Sequence, residues 1–176
     1  ESQLNRSDNV VISGAVGGDA AENQRSVLSE LGSMEVTRIA MHPGSVQGFG
    51  QLGPEGVPTF LLPANPVSAL VVFEVMVRPL IRLSLGKRQP MRRMIRARTL
   101  APITSVAGRT GFLRGQLLRD HDTGDYLVEA IGDAPGGSSH LLASLAEANC
   151  LVVVPGDVAE VRAGDSVDVA FLAQRG

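Results

Sequence analysis

The sequence predicts an α/β chain in two parts: a partial parallel sheet flanked by helices, then a small β-barrel-like domain. Three observations carry this. Up to about Gly86, continuous apolar runs alternate with helical stretches, as in parallel sheets covered on both faces. Beyond Arg93 the rhythm shifts to short strand candidates separated by Gly, Asp and Pro. Between the two lies a charged, proline-containing linker, Lys87 to Arg93, which sets the expected domains at 1–88 and 89–176. The chain has 176 residues, 44% of them hydrophobic, with no tryptophan, one tyrosine and five phenylalanines. Its cores must therefore be aliphatic, and global disorder is excluded.

Asn9 to Ser13 is a short apolar strand that runs into a glycine loop, Gly14 to Asp19. Ala20 to Leu31 reads as a helix with Asp19 as N-cap and Glu22 three residues on, a capping-box spacing. Gly32 closes it. Val36 to Met41 is the next strand, and residues 48 to 52 are extended. Gly53-Pro54-Glu55-Gly56 turns the chain into a strand from Val57 to Leu62. Asn65 is then a good N-cap and Pro66 suits the first helical position. The helix from Pro66 to about Leu85 is apolar on nearly every side until Arg78, so it must be buried. Pro79 should kink or break it, and Gly86 ends it. With so few strands before residue 63, much of this helix is expected to be covered by a partner or by further chain.

In the second part, Met94 to Leu100, Thr110 to Leu118, Tyr126 to Ile131, Leu151 to Val154 and Ser166 to Leu172 read as strands, and Leu141 to Glu147 as a helix. Cys150 stands in an apolar run and reads as a small buried hydrophobe rather than a reactive thiol. A single cysteine excludes an internal disulfide and a multi-thiol zinc site.

Net charge is −2, but its distribution is uneven: between Glu74 and Asp120 the chain carries eleven basic residues and no acid. Such asymmetry can focus anions, or it can protect edge strands. Nucleic-acid binding is not expected, because base-stacking aromatics and the recognised motifs are missing. A membrane span is not expected either, since the most apolar stretch is interrupted by Glu74 and followed by Arg78 and Pro79. The chain opens on a polar stretch rather than a secretory signal, so a cytoplasmic location is the expectation.

In parallel α/β folds, ligands bind beyond the carboxyl ends of the strands. Three loops occupy that position. The first holds Gly14, Gly17 and Gly18, whose backbone can approach a ligand closely. The second is His42-Pro43-Gly44-Ser45, where His42 ends a strand beside a Pro-Gly turn. The third is Pro63-Ala64-Asn65-Pro66 with Ser68 in the first helical turn, where amides and the helix dipole favour an anion. The glycine loop lacks the lysine and hydroxyl of a Walker motif and the order of a dinucleotide fingerprint. Asp19 and Glu22 can be read as helix caps or as ligands to one magnesium ion with phosphate co-ligands.

The run Leu62-Pro63-Ala64-Asn65-Pro66-Val67-Ser68-Ala69-Leu70, followed by Phe73-Glu74 and Val77-Arg78-Pro79, resembles the LPGNPVSA segment and V-R-P helix of the molybdopterin molybdenumtransferases, the MoeA and gephyrin E-domain family. Ser13-Gly14-Ala15-Val16 resembles that family's SGGVSVG loop. Ala40-Met41-His42-Pro43-Gly44 with Phe49-Gly50 resembles its A-x-K-P-G-K-P-x-x-F-G stretch. Leu145-Ala146, Ala148-Asn149 and Val154-Pro155 resemble its last domain.

The resemblance implies molybdenum cofactor biosynthesis: molybdate inserted into adenylylated molybdopterin, with magnesium present and AMP released. It implies a molybdopterin-binding-like α/β domain, of which this chain carries the C-terminal half, and a homodimer of a longer protein that binds a pterin-phosphate small molecule. Carried over by position, Glu22 keeps a carboxylate where the family has paired acids, so it is the candidate metal ligand and, with His42, the candidate catalytic residue. Gly14, Gly17, Gly18, Pro43, Gly44, Ser45, Pro63, Asn65, Pro66 and Ser68 are the candidate cofactor-binding residues.

The departures concern charge. His42 and Ser45 stand where the family has lysines, Val46 where it has proline, and Ala64 and Ala15 where it has glycines. Exchanging fixed cations for an imidazole and a hydroxyl weakens the hold on an anion. A non-catalytic pterin-binding or scaffold homologue is therefore the alternative reading. Arginines of the basic span are expected to supply the missing charge.

Overall fold

The computed structural model describes residues 4–17, 19–131 and 145–172, and of residues 19–22 the backbone only. Two compact units form, one from residues 1–39 and 44–90 and the other from 40–43 and 91–176.

The first unit is built on β1 (Val10–Val16), β2 (Gly32–Arg38), β4 (Val46–Leu52) and β5 (Val57–Pro63) in the order β1-β5-β4-β2. A short intervening strand, β3 (Met41–His42), belongs to the second unit. The sheet is mixed: β1 and β5 are parallel, whereas β4 is antiparallel to both β5 and β2. The parallel pair expected of this sheet is β1 with β5, and β4 joins it in the antiparallel sense. The four residues from Gly53 to Gly56 are far too few for a parallel crossover, which takes about a dozen, and they close a hairpin instead. The expected strand over Val36 to Met41 is also divided. Pairing of β2 with β4 stops at Arg38↔Val46, and Met41 and His42 pair with the second unit's sheet.

The glycine loop is shorter than its sequence suggests. Gly14, Ala15 and Val16 lie within β1, where the register shifts between Ser13 and Val16, and Gly14 takes φ +80° in that irregularity. Ala15 and Val16 are buried with Leu61, packed by Leu28 of α1 (Asp19–Leu31). The α1 helix begins at Asp19 itself, and Gly32 opens β2 directly after Leu31.

The apolar helix after Asn65 is continuous but changes pitch. It comprises α2 (Pro66–Val72), a π-helical turn over Phe73–Val77, and α3 (Arg78–Ser84). Pro79 has no N–H to give and its ring would crowd the carbonyl four residues back, Val75. Widening the preceding turn, with the Arg78 N–H donating to Phe73 O, absorbs the proline without breaking the helix. Val71, Val72, Val77 and Pro79 are buried, with Val72 and Val77 packing beside Phe60 and Leu62 of β5. Arg78 lies 3.8 Å from Glu74 and donates to Pro90 O at 3.0 Å, tying the helix to the chain that leaves it. Gly86 at φ +70° ends the helix, and the Gly86 and Lys87 N–H groups return to Leu83 O and Arg82 O.

The second unit is a closed sheet. Strands β6 (Met94–Thr99), β8 (Thr110–Arg119), β9 (Tyr126–Ala130), β10 (Cys150–Val154) and β12 (Ser166–Phe171) run in the order β10-β12-β6-β9-β8, and β8 pairs back with β10. Inward residues form one aliphatic core that includes Ala97, Leu117, Val128, Val152, Val154 and Val169. Cys150 belongs to it, and burial pushes its thiol pKa up to about 12. Strand β3 pairs with the start of β8, and β7 (Ile103–Thr104) pairs with β11 (Glu160–Val161). All three are too short to show a periodicity. Of the expected helix from Leu141 to Glu147, residues 141–144 lie outside the described residues and 145–147 are helical. Among the described residues, no helix is long and apolar enough to cross a membrane.

Candidate functional site

Strand direction assembles the candidate site within the first unit. β1 and β5 run the same way, and β2, antiparallel to β4, runs with them. The carboxyl ends of β1, β2 and β5 therefore share one edge with the start of β4. Val16 pairs with Pro63 and Arg38 with Val46, so the two ends of the sheet finish level. Neighbouring strands are about 4.8 Å apart, which puts the loops after β1 and β5 and the turn before β4 within roughly 15 Å. Gly14, Gly17, Gly44, Ser45, Pro63, Asn65, Pro66 and Ser68 all lie along this edge.

Each loop has its own reason for its shape. Gly17 takes φ +83° and a Cβ there would meet nothing within 4 Å, so the loop after β1 is open as well as glycine-dependent. Gly44 takes φ +88° in the turn that joins β2 to β4. That turn is closed by the Ile39 N–H donating to Ser45 O at 2.7 Å, and the Gln47 Nε2 donates to Gly44 O at 3.0 Å.

Asn65 is the N-cap of α2, as its sequence predicts. Its backbone is extended (φ −67°, ψ 124°), and its Oδ1 accepts from the Ser68 N–H at 3.1 Å. This narrows what the helix can offer an anion. Pro66 has no N–H, and the Ser68 N–H is taken by the cap. Of the first three helical positions, Val67 alone keeps a backbone donor uncommitted to the cap.

The remaining candidates belong to the second unit, lie outside the described residues, or have no described side chain. His42, exposed, and Pro43 belong to the second unit, where β3 pairs Met41 with Thr110 and His42 with Gly111, and the peptide between His42 and Pro43 is cis. Gly18 lies outside the described residues. Glu22 sits on α1, but its side chain is not described. Among the described residues, no group of three His, Cys, Asp or Glu side chains could hold a metal ion.

Several of the basic-span arginines have partners of their own. Arg78 and Arg82 bind the carbonyls of Pro90 and Gln89, and Arg96 pairs with Asp168 at 3.1 Å in the second unit. Arg114 is buried within the barrel unit. Arg38 is the cation that sequence reasoning missed. It is exposed, ends β2 and pairs with Val46 next to the Gly44–Ser45 turn. Its signal was its place at a strand's carboxyl end, the criterion applied to the glycine loops but not to charged residues.

A cavity of about 410 Å³ lies between the sheet and the helix that follows Asn65. Gly48, Phe49, Phe60 and Leu62 line it from the sheet and Val72, Met76 and Leu80 from the helix. Its wall is mostly apolar; Gln47, Glu35 and Thr37 are the polar members.

Comparison with known proteins accounts for nearly the whole chain. Residues 1–83 match the family described as "Probable molybdopterin binding domain", and residues 96–172 match "MoeA C-terminal region (domain IV)". The chain is 77% identical over all 176 residues to Molybdopterin molybdenumtransferase 1 of Mycobacterium tuberculosis, spanning 41% of that protein. It is 38% identical over 168 residues to Molybdopterin molybdenumtransferase 2 of the same organism, with 92% of this chain and 39% of the relative covered. A crystal structure of the molybdopterin biosynthesis MoeA protein from Pyrococcus horikosii superposes with a TM-score of 0.77 at 32% identity, covering 99% of this chain and 39% of that one. The chain thus spans about two fifths of the length of the curated relatives it matches. It belongs to the MoeA family of molybdopterin molybdenumtransferases.

Proposed function

We propose that this chain serves molybdenum cofactor biosynthesis as the C-terminal part of a molybdopterin molybdenumtransferase, which inserts molybdate into adenylylated molybdopterin and releases AMP. One observation carries the reading: in a chain of this family, three loops rich in glycine and proline meet at the carboxyl ends of the strands. In this reading residues 1–88 are the C-terminal half of an α/β molybdopterin-binding domain and residues 89–176 a small all-β C-terminal domain. The longer protein is a cytoplasmic homodimer.

The substrate is a pterin phosphate with an adenylate, and it needs backbone donors more than side-chain cations here. Gly14, Gly17 and Gly18 let the first loop approach the phosphates. Gly44 and Ser45 form the second wall, and Pro63, Asn65, Pro66 and Ser68 the third. Arg38 contributes the charge that His42 and Ser45 do not. Glu22 is the candidate magnesium ligand and, with His42, the candidate catalytic residue. The alternative, a non-catalytic pterin-binding or scaffold homologue, draws on the neutral residues at positions 42 and 45.

Calorimetric titration of adenylylated molybdopterin with magnesium into the intact protein and its Glu22→Gln variant tests the reading. Binding that weakens in the variant supports it. No binding to either protein would overturn it, and equal binding would leave Glu22 a helix-capping residue.

A further inference from the structure

The Gly44–Ser45 turn is held from its buried side by one polar side chain. Gln47, the second residue of β4, is 6% exposed, and its Nε2 donates to the Gly44 carbonyl at 3.0 Å. On the opposite limb, the Ile39 N–H holds Ser45 O at 2.7 Å. Gly44, at φ +88°, has little intrinsic preference for one peptide orientation, so the turn depends on such tethers.

The consequence follows from peptide geometry. In a trans peptide the C=O and the following N–H point in opposite directions. The bond between Gly44 and Ser45 is trans, because His42–Pro43 is the one cis peptide among the described residues. Anchoring Gly44 O toward buried Gln47 therefore directs the Ser45 N–H away from the interior. Among the described residues, no backbone group accepts from that N–H. It lies at the edge where the strand ends meet, beside Arg38. The family's lysine is absent at position 45, so the main chain is the more important donor at this place.

We propose that Gln47 is a positioning residue for oxyanion binding: it locks the Gly44 carbonyl inward so that the Ser45 N–H faces a tetrahedral oxyanion. This deepens the proposed function and rests on it. The chemistry requires a donor of this length. A hydrocarbon cannot donate, and an ionised carboxylate would repel the Gly44 carbonyl and turn the peptide over. Gln47 also lines the mainly apolar cavity, so methionine can replace it with nearly the same volume and no donor.

The experiment titrates molybdate into the intact protein with isotope-labelled serine, as wild type, Gln47→Met and Met76→Ala. Met76→Ala opens the same cavity without touching the turn and serves as the packing control. The wild type is expected to bind molybdate with a clear shift of the Ser45 amide proton. Gln47→Met should bind roughly tenfold more weakly, the size of effect outer-shell partners have elsewhere, and lose the Ser45 shift. Met76→Ala should bind like the wild type. A merely structural role for Gln47 would lower Tm in both variants and leave both affinities alike. Equal affinity in wild type and Gln47→Met, or a silent Ser45 amide during wild-type binding, would overturn the inference and spare the proposed function. The amide readout holds even if Gln47→Met fails to fold. Absence of molybdate binding to the wild type would sink both.

Discussion

The two units solve the sheet-edge problem in opposite ways. The barrel closes: β8 pairs with both β9 and β10, and a single aliphatic cluster fills the interior. The α/β sheet stays open at β1 and β2, and its buried apolar residues fall into three smaller clusters. Closure abolishes edges and lets one core serve every strand. An open sheet leaves its strand ends and loops accessible, and those ends carry the candidate site. The barrel unit is thus built for stability and the open unit for access.

Core truncation tests this contrast most strongly. Leu117→Ala in the barrel and Leu61→Ala in the open sheet each remove a buried leucine, for which about 2–5 kcal/mol is typical. The barrel variant should fall at the top of that range, because a closed sheet cannot collapse onto the gap. The sheet variant should fall at the bottom, since its clusters are small and bordered by the cavity. Equal losses in urea unfolding would show that closure does not stiffen the core.

Two asparagines offer a smaller version of the same comparison. Asn149 acts as an extra strand residue in the barrel: its Oδ1 accepts from the Leu117 N–H at 2.7 Å and its Nδ2 donates to Leu117 O at 3.0 Å. Asn149→Ala strips both partners from a half-buried peptide and should cost about 1–3 kcal/mol. Asn65→Ala removes an exposed helix cap and should cost about 1 kcal/mol. Reversal of that order in chemical denaturation would contradict the division between a buried scaffold and an exposed site edge.

The smallest expected effect is chemical. Burial pushes the Cys150 thiol up to about 12 from its ordinary value of 9.0. A folded-state pKa raised above the unfolded one adds stability that is present below pH 9 and declines as pH rises from there toward 12. At neutral pH, a thiol reagent should label Cys150 only on unfolding. Rapid labelling of the native protein would mean that the barrel opens.

The sequence showed the barrel's strands almost residue for residue, because turns of Gly, Asp and Pro bracket short apolar runs there whatever the pairing order. It also showed the Asn65 cap and the Gly86 stop, which are local chemistry. What it hid is direction and register. Nothing in Val46–Leu52 states that it runs against both neighbours, although the four-residue turn before Val57 was a usable sign. The bulge that draws Gly14 into β1 and the transfer of Met41 and His42 to the other sheet depend on long-range pairing. Arg38 and Gln47 escaped notice for different reasons: Arg38 matters through the turn that register places beside it, and Gln47 through a bond to the Gly44 carbonyl that only the folded turn brings within reach.

The measurement that bears most directly on the central claim is AMP release from adenylylated molybdopterin by the intact protein, with and without molybdate. It should be made for the wild type and for His42→Lys combined with Ser45→Lys. The account predicts slow, molybdate-dependent release by the wild type, with backbone amides and Arg38 holding the anion, and a large gain in the double variant from charge placed in a partly shielded site. Rapid wild-type turnover that the lysines do not improve would show that the missing cations are immaterial. No release from either protein would contradict the account at its root.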